Sequence, residues 1–271
     1  MNSSGLSRQQ PKKWIERLAR FGYAAKGIVY MLVGILAFQA AINWGGRATS
    51  TEGAFLTIAT QPFGKILLLL IVAGLASYVI WQLVQAAFDP EHDDSGFSTI
   101  SRRIAYATGG FVYGSLALFA LRVVFNQPTN GSDSSGQQAA TLLSQPFGQW
   151  LVGAMGASFV AYGFFYFYRA YSTDFRRHLK LFEMSAKEEM WSTRIGRFGL
   201  TAKGVVSVII GYFFIQAALA ADPSQAKNTE GALQTIQQQP YGGWLMGLVA
   251  LGLVAYGIHM GFQARYRRIS P

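Results

Sequence analysis

The sequence predicts an all-α integral membrane protein, with six transmembrane helices arranged as three parallel helical-hairpin repeats about a pseudo-threefold axis. Three observations carry that expectation. Of 271 residues, 51% are hydrophobic and only 13% charged, about half the charge of an ordinary soluble domain. The apolar residues gather into six runs, each of about the 20 residues that cross a bilayer as a helix. The same short motifs then recur three times in register.

The predicted spans are Phe21–Ile42, Phe63–Phe88, Ile104–Phe125, Phe147–Tyr171, Phe198–Ala220 and Tyr241–Ala264. Charges inside them are few: Lys26, Lys65, Arg122, Arg169 and Lys203. The run boundaries put these five near span ends, where long side chains reach the interface. No alternating ten-residue strands of a membrane barrel are present. The basic N-terminal stretch lacks the apolar core and cleavage site of a signal peptide, so the first span is expected to persist. The expected organisation is a basic tail at 1–18, repeat one at 19–90, repeat two at 100–172, an amphipathic linker at 173–193, repeat three at 194–266 and a short tail at 267–271. Within the linker, Ser185 and Glu188 have capping-box spacing.

With six spans, both termini and the even-numbered connections share one side, and that side holds 19 of the 23 basic residues. The positive-inside rule therefore predicts cytoplasmic termini, in the plasma membrane of a bacterium. The formal charge of +10 is accounted for by topology and by attraction to anionic lipid headgroups at the cytoplasmic face. A nucleic-acid surface would need aromatic residues interleaved with the basic ones, and none is present, so no nucleic-acid partner is expected.

Each repeat opens its first helix on one motif: Arg20–Gly27, Arg103–Gly110 and Arg197–Gly204. Each opens its second on Gln61-Pro-Phe-Gly64, Gln145-Pro-Phe-Gly148 or Gln239-Pro-Tyr-Gly242, with a tyrosine 16 residues beyond the proline, at Tyr78, Tyr162 and Tyr256. Gly27 and Gly34, Gly204 and Gly211, and Gly110 with Ala117 lie seven apart, a spacing that lets backbones approach in lipid. Short capped helices are expected before each second span, with Ser50 or Thr51 and Asn228 or Thr229 as caps. Trp44, Trp150 and Trp244 fall where an aromatic belt would lie.

These openings, the Glu52-Gly-Ala and Glu230-Gly-Ala-Leu turns, the three Pro-aromatic-Gly starts and the closing Ala264-Arg-Tyr-Arg-Arg268 together resemble a bacterial membrane family, domain of unknown function 1206. The resemblance covers nearly the whole chain and implies three tandem two-helix units, with no activity attached. The middle unit departs from the pattern, with Gly109 for the repeated lysine (Lys26, Lys203) and Gly136 for the repeated glutamate (Glu52, Glu230).

Two polar rows occupy equivalent positions in the repeats: Gln39, Arg122 and Gln216 near one end of each first helix, and Gln85, Arg169 and Gln263 near the other end of each second helix. Facing the axis, either row makes a ring of two amides and one guanidinium suited to a polar or anionic solute. Facing outward, they cap helix ends and snorkel. A Lys26–Glu52 or Lys203–Glu230 ion pair is disfavoured by about 22 Å of intervening helix at 1.5 Å per residue. His259 stands where the other repeats have Trp81 and Phe165, an aromatic slot, while His92 and His178 have no second metal ligand in reach of the pattern. Without cysteine, thiolate metal sites and cysteine nucleophiles are excluded. No catalytic motif is present, and no enzyme activity, cofactor or metal is expected. The expected function is a non-enzymatic membrane scaffold or lipid- or partner-binding component, as a homo-oligomer or with another membrane protein. The alternative is a small channel or carrier for a polar or anionic solute along the repeat axis.

Overall fold

The computed structural model describes residues 13–45, 48–88, 97–129, 134–172, 175–176 and 179–268. Six helices within them are long and apolar enough to cross a membrane: α1 (Lys13–Ala41), α3 (Gly64–Phe88), α4 (Phe97–Val124), α6 (Gly148–Ser172), α7 (Ala186–Ala220) and α9 (Gly242–Tyr266). Three short helices precede the second span of each repeat: α2 (Thr51–Ala59), α5 (Ser134–Leu143) and α8 (Thr229–Gln237). The repeats are therefore α1–α3, α4–α6 and α7–α9, and all run in the same sense. The end of the bundle with both chain termini is called the terminal face here, and the end with α2, α5 and α8 the distal face.

Local chemistry sets each boundary. The Ser50 hydroxyl accepts the Gly53 N–H at 3.1 Å, and the Asn228 amide oxygen accepts that of Gly231 at 3.1 Å, so each polar side chain meets an otherwise orphaned helix N–H. Beyond each repeated proline, the aromatic residue takes a left-handed conformation: Phe63 at φ 60°, Phe147 at 62° and Tyr241 at 60°. This turn drives the next glycine against the preceding helix. A Cβ on Gly64, Gly148 or Gly242 would strike the carbonyl oxygen of Ile58, Leu142 or Gln237, which is why glycine follows the aromatic every time. Exposed Trp44, Trp150 and Trp244 ring the distal face, as an interfacial belt does.

One boundary differs from the sequence reading. The amphipathic segment expected at 173–193 is not separate from span five. Ser185 and Glu188 form the capping box, and the 35-residue α7 runs on from it without a break. No proline interrupts that stretch, and Gly196 alone does not end a helix. Gly196 is instead a contact point: a Cβ there would lie 2.8 Å from the Phe175 ring and 2.9 Å from His259 Nδ1.

Around the bundle, α1 packs on α3, α3 on α4, α6 on α7, α7 on α9, and α9 back on α1, but α4 and α6 barely touch. The middle hairpin is splayed. Less than a quarter of the membrane-crossing window of α4 and of α6 is buried, 22% in each, against 44–56% in the other four. The repeats explain this directly. In hairpin one Gly22 lies on the backbone of Tyr78 and Gly74 on Ala25; in hairpin three Gly199 lies on Tyr256 and Gly252 on Ala202. The middle repeat has Ala105 for Gly22 and Gly199, Thr108 for Ala25 and Ala202, and Ser158 for Gly74 and Gly252. Without glycine at either crossing point, the middle helices lack the backbone contact that closes the other two hairpins.

The junctions between repeats use other glycines. A Cβ on Gly27 would lie 2.8 Å from the Gly257 carbonyl oxygen, one on Gly34 2.8 Å from that of Ala250, one on Gly204 3.0 Å from that of Gly163, and one on Gly211 2.6 Å from that of Gly156. The α3–α4 junction is looser, since a Cβ on Gly110 meets its nearest neighbour, Gln82 Cβ, at 3.5 Å.

A cation and tyrosine cluster in the bundle interior

The bundle axis is filled by tyrosines rather than by the predicted polar rows. Tyr30, Tyr78, Tyr113, Tyr166 and Tyr256 converge there from α1, α3, α4, α6 and α9, in edge-to-face pairs: Tyr30–Tyr256 at 4.8 Å, Tyr78–Tyr113 at 4.9 Å and Tyr166–Tyr256 at 6.0 Å between ring centroids. Tyr30 and Tyr113 are repeat equivalents; Ser207 holds that position in repeat three. The Tyr30 and Tyr113 hydroxyls meet at 3.3 Å. Tyr166 donates to Tyr162 at 2.9 Å and lies 3.2 Å from the Tyr256 hydroxyl. Tyr162, on the splayed hairpin, is 43% exposed.

Lys26 sits inside this cluster, 5% exposed. The expectation that it snorkels fails because α1 starts earlier than the apolar run does. α1 starts at Lys13, so thirteen residues at 1.5 Å each put Lys26 about 20 Å from the helix start, and its side chain turns into the bundle instead of back to that end. Its ammonium donates to the Tyr78 hydroxyl at 3.2 Å and lies 4.8, 4.6 and 5.9 Å from the ring centroids of Tyr78, Tyr113 and Tyr256. Lys203 makes the equivalent contact from repeat three, 4.7 Å over Tyr30. Aromatic faces attract a desolvated ammonium by about 2 kcal/mol, but they do not cancel its charge. Neither lysine is placed against a glutamate: Glu230 accepts instead from Gln234 at 3.2 Å, and Glu52 lies on α2 at the distal face.

The charged neighbours that act on Lys26 are Lys203, Arg169 and Arg267, and all repel it. Carboxylates stay off this level. Glu16, Glu188 and Glu189 stand in the first turns of α1 and α7, whereas α3, α4, α6 and α9 have none. Lys26, Lys203 and Arg169 thus border one tyrosine-lined interior, and among the described residues none of the three is placed against a carboxylate. Arg169 is half-buried and packs over Phe165 at 5.7 Å. Arg267 lies 5.0 Å over Tyr23 and donates to the Gln263 carbonyl at 3.0 Å, and the Gln263 amide meets His259 Nε2 at 2.9 Å.

The row Gln85, Arg169 and Gln263 lies on this side of the bundle. Gln85 is fully buried, and neither of its amide atoms has a partner; nor do Trp81 Nε1 and His259 Nδ1. The row Gln39, Arg122 and Gln216 is placed elsewhere. Nine residues from Tyr30, Tyr113 and Ser207 is two and a half helical turns, so these three point away from the axis. Arg122 is exposed, and Gln216 donates to Tyr212 on its own helix at 2.5 Å. Two depressions lie off the axis. One, of about 530 Å³ at the distal face, is lined by Asn43, Glu230, Gln234 and Gln237. The other, of about 580 Å³ between α6 and α7, is lined by Phe167, Tyr171 and Arg197. Of the other repeated arginines, Arg103 is exposed; Arg20 donates to the carbonyl oxygens of Ala264 (2.8 Å) and Arg265 and pairs with Glu16 at 2.7 Å, tying α1 to the end of α9. Among the described residues no three His, Cys, Asp or Glu side chains gather at metal-binding distance.

Sequence reasoning passed over Tyr30, Tyr113 and Tyr166. The signal available was the seven-residue spacing of Tyr23 and Tyr30, matched 83 residues on by Tyr106 and Tyr113.

Fold and interior together define a polytopic α-helical membrane protein with a polar, cation-bearing core. Three segments, 21–89, 104–173 and 198–267, each match the family model described as Domain of Unknown Function (DUF1206), and the chain belongs to that family. It is also 36% identical over 263 residues to the uncharacterized protein YxxB of Bacillus subtilis (strain 168), an alignment covering 97% of this chain and 95% of the relative. No solved structure matches the chain at a significant level.

Proposed function

We propose that this protein is a non-catalytic membrane component that binds an anionic group inside its helical bundle. One observation carries the reading: Lys26, Lys203 and Arg169 border one tyrosine-lined interior, and among the described residues no carboxylate stands against them. An uncompensated charge costs several kcal/mol to bury, and buried Lys26, with half-buried Lys203 and Arg169 adding like charge, calls for an anion of external origin. The hydroxyls add to the demand. Six phenols (Tyr30, Tyr78, Tyr113, Tyr162, Tyr166 and Tyr256) share three hydrogen bonds among themselves, which leaves three O–H donors unspent, and Tyr78 takes only one of the three ammonium hydrogens. Surplus donors and positive charge are the complement of an acceptor-rich anion.

The reading of a solute path along the axis is weaker, because packed tyrosine rings occupy the axis. The test is ligand-induced stabilisation of the purified protein, with dihexanoyl-phosphatidylglycerol and sodium phosphate as anionic probes and dihexanoyl-phosphatidylcholine as the neutral one. An anionic probe should raise the unfolding temperature of the native protein and leave Lys26→Met unmoved. Equal effects of anionic and neutral probes on the native protein would overturn the reading.

A further inference from the structure

The pseudo-symmetry is broken at one place. In two of the three repeats a lysine reaches across to a tyrosine of a neighbouring repeat: Lys26 to Tyr113 and Lys203 to Tyr30. In the third, Gly109 replaces the lysine and Ser207 the tyrosine, so neither cation nor ring is supplied. This slot belongs to the hairpin whose helices fail to close.

Its surroundings are polar. Gln82, 7% exposed, lays its amide nitrogen on Gly109, 2.4 Å from where a Cβ would stand, so an amide takes the room that the lysine chain has in the other repeats. Gln82 lies one helical turn from Tyr78, and Gly109 one turn from Tyr113, so the slot adjoins the Lys26 cage. On the facing helix α6, Tyr162 and Arg169 are seven residues apart and share a face. Tyr162 joins the cage through Tyr166, and the Arg169 charge acts on Lys26 and on His259. Beyond the gap, both helices present apolar side chains to lipid: Phe111, Val112 and Leu118 on α4, and Leu151, Phe164 and Phe165 on α6.

We propose that the opening between α4 and α6 is a lateral binding site for an anionic membrane lipid. The acidic headgroup sits between Lys26 and Arg169, with the Gln82 amide as a further donor, and the acyl chain stays along the apolar faces of α4 and α6. A lipid is favoured over a free anion because the splayed hairpin opens the cation cluster sideways to the membrane, while the axis is closed by rings. This rests on the reading of an anion-binding interior, so the experiment separates the two.

The protein is reconstituted into nanodiscs containing phosphatidylcholine with one tenth phosphatidylglycerol, and the lipids retained after transfer to detergent are quantified by native mass spectrometry. Sodium phosphate binding is measured in parallel. The native protein should retain phosphatidylglycerol at least tenfold over its share of the mixture. Gly109→Leu, whose side chain displaces the Gln82 amide from the slot, should remove that enrichment, and Arg169→Gln should weaken it severalfold. Ile35→Leu, on the lipid-facing side of α1 (Ile35 is exposed), should not change it. Thermal unfolding verifies that each variant is folded, and the Arg169 variant keeps the test decisive if Gly109→Leu is not. Enrichment unaffected by both substitutions overturns the lateral site and leaves the anion-binding interior standing. Phosphate bound without lipid enrichment overturns the lipid and keeps the anion. Neither bound by the native protein overturns both.

Discussion

Glycines at one repeat position should answer alanine substitution with opposite signs. Gly27 and Gly110 are equivalents on α1 and α4, yet their surroundings differ. A Cβ on Gly27 would sit 2.8 Å from the Gly257 carbonyl oxygen and 3.2 Å from Met260 Cβ. The oxygen is backbone, so the two helices must part by roughly half an ångström to reach ordinary van der Waals separation, about 3.5 Å. Such overpacking costs about 1–3 kcal/mol, against which alanine returns about 1 kcal/mol of helix propensity. The net expectation for Gly27→Ala is a loss of about 1 kcal/mol. A Cβ on Gly110 has its nearest contact at 3.5 Å, so Gly110→Ala keeps the propensity gain and becomes more stable by up to about 1 kcal/mol. The gap between the variants, about 2 kcal/mol, is readable by reversible unfolding in bicelles. If Gly110→Ala destabilises as much as Gly27→Ala, the unequal packing of the three junctions is refuted.

Restoring glycine at the middle crossing, with Ala105→Gly and Ser158→Gly together, should draw α4 towards α6. Spin labels on cysteines introduced at Leu118 and Leu151 should report a shorter distance by double electron–electron resonance, and an unchanged distance would count against the crossing-point account. Ser50→Ala and Asn228→Ala should each cost about 1 kcal/mol of stability, while Thr51→Ala and Thr229→Ala stay close to neutral; equal losses at all four would reject the assigned caps. Hydrogen bonds from the Ser224 hydroxyl, the Ser224 N–H and Gln225 hold the exposed Asp222 carboxyl below its ordinary value. A depressed value stabilises the turn above the unfolded carboxyl's pKa of about 3.9, and that support is lost as pH falls through the folded value. Amide exchange at Ser224 should accelerate only in strong acid, and acceleration already at neutral pH would contradict this. The positive-inside rule gives the orientation: in intact cells an impermeant maleimide should label a cysteine at Trp44 on the distal face and spare one at Glu183 on the terminal face, with the reverse pattern inverting the protein.

The fold was legible because its determinants are local or repeated. Run length gives the spans, and the capping box at Ser185 sets the start of α7 wherever the membrane begins. The threefold Pro-aromatic-Gly turn can be read from four residues. The interior was less legible, because it depends on which helix faces converge. Lys26 looked terminal when span edges were judged by hydropathy; the basic stretch from Lys13 belongs to the same helix and sets the lysine about 20 Å from its start. The Arg122 row had the right residue types in the right register, but register places equivalent residues at one level and says nothing of the direction they face. That direction follows from their offset to the small residues at the helix contacts, and it turns Gln39, Arg122 and Gln216 away from Tyr30, Tyr113 and Ser207.

The departures of the middle repeat converge on one place. Ala105, Thr108 and Ser158 replace the glycines and alanines that close the outer hairpins, Gly109 replaces the lysine, and Tyr166 stands where the other repeats have Gln82 and Met260. The first three changes open the hairpin, the fourth leaves a slot behind the opening, and the fifth extends a hydroxyl chain from Tyr256 to Tyr162 at its edge. The closed repeats supply Lys26 and Lys203 and the open one supplies Arg169 on the helix beside the gap, so a pseudo-symmetric bundle becomes asymmetric on the side where α4 and α6 stand apart.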